Sequence, residues 1–216
     1  MTTSATLPAD AQPDATAVDA ANPYAAPATA LPQQTETEAR QVLYVVAQRK
    51  FLLLMILTLG AYSLYWFYRN WSLLNRVHKI YWPIPRAIFS IFFTHSLFGE
   101  VDSQLRKRGV DHRWSPGLLA TIFVVATIAS RIFDRVTADD VSPSVLVASF
   151  LFLVPMIWPL YRAQLAINLS QDDPDGTTNA ELTAANILWM VLGGALWALI
   201  LFGLLMSILP VETVLG

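Results

Sequence analysis

The sequence predicts an all-α, polytopic helical membrane protein with four hydrophobic spans, one short membrane-immersed or interfacial helix and a disordered N-terminal tail. Three observations predict it. Hydrophobic residues fill 55% of the 216 positions and charged residues only 14%, against about 25% charged in an ordinary soluble domain. The apolar residues gather into five runs, at about residues 51–68, 87–98, 117–133, 144–161 and 184–209, with polar stretches between them. Residues 1–40 have a separate character, rich in Ala, Thr and Pro, with Arg40 as the one base. The formal charge of −2 decides nothing, because acids and bases are segregated along the chain. The chain has no cysteine, which excludes disulfides, thiolate metal sites and thiol nucleophiles.

Residues 1–40 cannot bury enough apolar surface to offset the entropy of ordering them. They also lack the basic start and apolar core of a signal peptide. Asn22-Pro23-Tyr24-Ala25-Ala26-Pro27 could serve as a docking peptide, but a solvated Pro-rich tail is the simpler expectation. The membrane domain then occupies 41–216. Tyr44-Val45-Val46 forms a small apolar patch, read as a short strand or an interfacial turn. Phe51–Tyr68 is aliphatic at first and aromatic at its end; about 18 helical residues reach roughly 27 Å, close to the hydrocarbon thickness of a bilayer. Leu73, Leu74 and Val77 keep helical spacing beyond it, until Trp82-Pro83-Ile84-Pro85 stops the helix.

Ala87–Phe98 is about a dozen residues, short for a span and apolar nearly all round, so an immersed or interfacial helix is expected. Ser115-Pro116 has the pattern of a helix start, and the second span follows at 117–133, with Arg131 snorkelling to the interface. The third, 144–161, contains Pro155 and Pro159, and Pro155 predicts a kink because it removes a backbone bond within the helix. Residues 162–183 read as a polar loop. The fourth span, 184–209, carries Gly194 and Ala198 four apart, with Gly193 and Gly203 nearby, a spacing that lets two helices approach closely.

Charge allows a topology test. If Phe51–Tyr68 spans and Ala87–Phe98 does not, Lys and Arg divide 9 against 5; if both span, 8 against 6; if neither does, 12 against 2. Charge therefore favours the last arrangement, while length and hydropathy favour insertion of Phe51–Tyr68. A hairpin turning near Gly60 reconciles them, provided that neighbours satisfy the amides left at depth. All three arrangements place the 106–113 and 162–181 loops in the cytoplasm and the C-terminus outside.

Little in the chain points to catalysis. None of His78, His95 and His112 belongs to an HExxH or paired-ligand spacing. His95 lies in an apolar stretch and is a candidate intramembrane polar site; a histidine bonded to a neighbouring helix is the plainer alternative. Gln171–Gly176 resembles the start of an EF-hand loop but fails at Gln171 and Leu182, so a solvated Asp-Gly turn is expected. Glycine-rich phosphate loops and nucleophile elbows are missing, and the spans hold no close carboxylate pair and no acid at all, which weakens an ion-coupled carrier. Arg106, Lys107 and Arg108 are candidate lipid-headgroup contacts, although such a cluster also serves simply to set topology. No catalytic residue, cofactor, metal or nucleic-acid partner is expected.

One resemblance adds to this reading. Tyr44-Val45-Val46, Arg49-Lys50-Phe51, the run from Thr58 through Gly60, Tyr62 and Tyr65 to Tyr68, and Arg86–Ser90 resemble an uncharacterised family of small bacterial polytopic membrane proteins. Their signature is Thr-x-Gly-x-Tyr-x-x-Tyr-Trp in the first hydrophobic segment. Thr183–Asn186 and Gly193-Gly194 are similar to that group too, and the likeness covers roughly 44–205; Ala61 stands where a bulkier residue is expected. The resemblance implies a multi-pass protein of the bacterial cytoplasmic membrane and carries no activity with it. The functional expectation is a non-enzymatic scaffold, envelope or assembly factor, whose partners are the lipid bilayer and a second copy or another membrane protein, with Gly194 and Ala198 as the packing face. The alternative is a small-molecule transporter or channel component lined by His95 and the Pro155–Pro159 kink.

Overall fold

A computed structural model describes residues 41–140 and 142–208. The tail 1–40, with its candidate docking peptide, lies outside the described residues. All regular structure among those described is helical: α1 (Gln48–Leu57), α2 (Tyr62–His78), α3 (Pro83–Ile88), α4 (Ser90–Lys107), α5 (Pro116–Val136), α6 (Pro143–Leu151), α7 (Leu153–Ser170) and α8 (Ala184–Ile208), with a 3-10 turn at Thr177–Asn179. Three stretches are long and apolar enough to cross a membrane: Pro116–Val136, Pro143–Ser170 and Ala184–Ser207. The remaining expected span, Phe51–Tyr68, is not one helix.

Its break is built by Thr58–Ala61. Leu59 and Gly60 both take positive φ, 53° and 83°, which ends α1 and turns the chain back. The Thr58 hydroxyl donates to the Leu54 carbonyl (2.6 Å) and accepts from the Tyr62 amide (3.0 Å). The Gly60 amide donates to Met55 O at 2.7 Å and the Ala61 amide to Thr58 O at 3.0 Å. The turn thus satisfies its own amides, which is what a reversal in apolar surroundings requires. Phe51 then meets both Tyr62 and Trp66 at 6.1 Å between ring centres, so α1 and α2 form an antiparallel hairpin.

The run 87–98 divides as well. Its first two residues end α3, the chain bends at Phe89, and α4 extends well past Phe98 to Lys107. Arg86 joins this second hairpin to α2, its guanidinium lying 4.4 Å from the Trp71 ring and 4.6 Å from both Tyr81 and Phe93. Then α4 runs antiparallel to α5, with Asp102 accepting from Trp114 Nε1 at 3.0 Å near one end and His95 bonded to Thr121 at 3.1 Å further along.

The kink expected from Pro155 falls at Phe152, where α6 gives way to α7. The reason is local: Pro155 has no amide to offer the carbonyl four residues back, Leu151, and its ring crowds that carbonyl. Helix α7 also continues nine residues beyond Tyr161, through a stretch expected to be loop, because its polar residues face inward. Gln164, Asn168 and Ser170 are fully buried. The core they join is aromatic, with Trp66, Trp71, Phe51, Phe67 and Phe98 excluded from solvent.

Candidate functional site

Tyr44-Val45-Val46, expected as a short strand or an interfacial turn, lies in a non-helical segment, residues 42–47, that enters the core, with Leu43, Tyr44, Val45 and Val46 buried. Having no ladder, their backbone needs other partners. Side-chain amides supply them. The Tyr44 amide donates to Asn70 Oδ1 (3.1 Å), and Gln164 Nε2 donates to Tyr44 O (3.1 Å). Asn168 takes both groups of Val46, accepting from its amide at 3.3 Å and donating to its carbonyl at 2.9 Å. Asn179 Nδ2 donates to Val45 O at 2.9 Å. Trp66 Nε1 and Asn168 Oδ1 lock Gln164 in turn, at 2.5 and 2.6 Å.

The 171–183 loop closes over this segment. Asp173 is not the solvated residue of an open turn: Oδ1 accepts from the Thr177 amide and hydroxyl (2.8 and 3.0 Å), and Oδ2 from those of Thr178 (2.9 and 2.8 Å). Burial by itself would raise its pKa, but these four bonds outweigh it and hold the carboxyl below the ordinary aspartate value. Gly176 has φ +68°, and a Cβ there would lie 2.5 Å from the Val46 and Ala47 backbone. A depressed carboxylate pKa stabilises the fold above the unfolded-state pKa and loses that contribution as pH falls through the folded value. Wild-type protein should therefore lose melting temperature below about pH 4 more steeply than Asp173→Asn, which does not titrate. The substitution itself should cost about 1–2 kcal/mol at neutral pH, because its amide nitrogen faces donors. Parallel melting curves for the two proteins between pH 5 and pH 3 would refute the assignment.

Beside this assembly a cavity of about 600 Å³ opens between α1, α2, α3 and α8. Leu54, Ala61 and Ile88 give it apolar walls, and Tyr68, Thr183 and Asn186 bring hydroxyl and amide groups. No charged side chain lines it. Lys50 lies close by, 4% exposed, with Nζ donating to Asn179 Oδ1 and to Glu181 O, both at 2.6 Å. In the orientation that satisfies its neighbours, the Asn186 amide oxygen accepts from Lys50 Nζ at 3.2 Å.

The residues singled out from sequence lie elsewhere. His95 is on an exposed face, bonded to Thr121. Arg106 pairs with Asp102 at 2.8 Å, Arg108 pairs with Asp172, and Lys107 is exposed. Two of the three basic charges thus already have acidic partners, and Arg108–Asp172 ties the 171–183 loop to α4. Gly194 has nothing within 4 Å of an added Cβ and Ala198 is exposed, whereas a Cβ on Gly193 would lie 2.0 Å from Leu57 O. Within the chain, helix packing therefore rests on Gly193, and the Gly194–Ala198 face is open. The amide set Asn70, Gln164, Asn168 and Asn179 escaped sequence reasoning; the four-residue spacing of Gln164 and Asn168 was the one available signal. Comparison with protein-family models, curated proteins and solved structures finds no match to this chain.

Proposed function

We propose that this chain is a non-enzymatic integral protein of a bacterial cytoplasmic membrane, a scaffold or assembly factor. In this reading α5, the α6–α7 pair and α8 cross the bilayer, while α1–α2 and α3–α4 enter and leave the cytoplasmic leaflet as hairpins. The turn at Thr58–Ala61 is the observation that carries it. The ten residues of α1 rise only about 15 Å, half the hydrocarbon thickness. With the chain returning there, 12 of the 14 Lys and Arg residues fall on one side and only Arg131 and Arg135 on the other. The positive-inside rule assigns that pattern to a cytoplasmic N-terminus and an external C-terminus. The likeness of Thr58–Tyr68 to small bacterial membrane proteins supports the same compartment.

The open Gly194–Ala198 face supports a scaffold that associates with its own copies or with another membrane protein. The carrier alternative has less support, since neither His95 nor the Pro155–Pro159 stretch borders the cavity. Labelling tests the topology directly, because the chain has no native cysteine. Ser4→Cys should resist a membrane-impermeant maleimide in intact cells and react once the membrane is opened. Reaction in intact cells would restore Phe51–Tyr68 as a crossing and overturn the hairpin arrangement.

A further inference from the structure

We propose that the cavity between α1, α2, α3 and α8 holds one acyl chain of an anionic phospholipid drawn from the surrounding bilayer, an inference that rests on the membrane reading above. Its volume of about 600 Å³ falls within the roughly 300–1,000 Å³ of small-molecule sites. Leu54, Ala61 and Ile88 offer a tail only apolar surface, and such a space is a poor site for water. The opening is lateral, bordered by Leu64, Ile84 and Trp189, which are 51%, 62% and 61% exposed. In a bilayer that opening faces acyl chains, so lipid enters without leaving the membrane.

Charge selects the headgroup. The four helices that wall the cavity carry Arg49, Lys50, Arg69, Arg76 and Arg86 and no Asp or Glu. Glu181 lies beside Lys50 and offsets one of them, and Glu100 approaches His78 at the end of α2 at 3.8 Å. Thr183 and Asn186 line the cavity at the start of α8 and present polar groups where Lys50 lies. An apolar slot thus sits among helices whose charged residues are all Lys or Arg, a setting that favours an anionic phospholipid over a zwitterionic one.

The test uses full-length protein in liposomes doped with phosphatidylglycerol or phosphatidylcholine bearing a diazirine on the acyl chain, with the labelled residues mapped after illumination. Phosphatidylglycerol should mark Leu64, Ile84 and Trp189 about tenfold above phosphatidylcholine, as one or two bases near the surface would give. It should mark them well above Leu199 and Phe202, which are 67% and 60% exposed on α8. Ala61→Trp and Ala185→Trp, from opposite walls, should each abolish the cavity label while leaving the α8 label in place; two variants guard against one that fails to fold. Equal labelling by the two lipids, cavity label no higher than on Leu199 and Phe202, or label indifferent to both substitutions would overturn the proposal alone. Absence of label anywhere on the chain would overturn the membrane reading with it.

Discussion

Gly193→Val should be among the most damaging single substitutions in the chain, and Gly194→Val, one residue on, among the mildest. At Gly193 even a Cβ would stand 2.0 Å from the Leu57 carbonyl and 2.8 Å from its carbon, both backbone atoms that cannot swing aside. The close approach is also what lets Trp197 Nε1 donate to Ile56 O at 2.9 Å and stack on Phe150, with ring centres 4.8 Å apart. Forcing α8 away from the hairpin tip loses these contacts together. We expect a loss of about 3 kcal/mol or more, at the upper end for overpacking, read as a lowered melting temperature in detergent with a changed Trp197 emission. At Gly194 nothing stands within 4 Å, so a change within about 0.5 kcal/mol is expected. Equal melting temperatures for the two valine variants would refute the packing described for α8. The same contrast makes Gly194→Ile a clean probe of association: a multimer lost in that variant reports a contact between copies rather than a fold undone.

These neighbouring glycines show what composition can and cannot convey. Both sit in one apolar run, and small-residue spacing alone favours Gly194 with Ala198; only the phase of α8 against α1 selects Gly193, and that phase is set by tertiary contact. Legibility was better where the signal is local. Ser115-Pro116 announces α5, which begins at Pro116, and Pro155 announces a kink that falls three residues earlier, at Phe152, for the reason proline geometry dictates. The hairpin at Gly60 was visible as a conflict, since basic flanks on both ends of Phe51–Tyr68 oppose its insertion as a span while its length invites it. At that point the structure ends α1 with a positive-φ glycine, and the Thr58 hydroxyl bonds to both helices. The end of α7 was illegible, because Arg162, Gln164, Asn168 and Ser170 read as solvated loop unless one knows that an extended segment some 120 residues away lacks backbone partners.

That dependence sets the second large effect. In Asn168→Leu the side chain keeps much of its bulk, so packing changes little, but the Val46 amide and carbonyl lose their partners in a buried site. Gln164 loses one acceptor at 2.6 Å as well. Each orphaned buried group costs about 1–3 kcal/mol, and water cannot reach Val46, which is 0% exposed, without opening the core. A loss of roughly 3–5 kcal/mol follows. Trypsin provides a structural readout, because cleavage after Arg49 or Lys50 requires the clamped segment to lift; Lys50 is 4% exposed in the intact fold. The variant should be cut at those bonds well before the wild-type chain. Gln164→Leu should weaken the same segment through the Tyr44 carbonyl and Trp66 Nε1. The double substitution should cost less than the sum of the two by about 1 kcal/mol or more, since one network is broken either way. Strict additivity, or an Asn168→Leu protein that melts within about 1 kcal/mol of wild type, would mean that the amides decorate the segment rather than hold it.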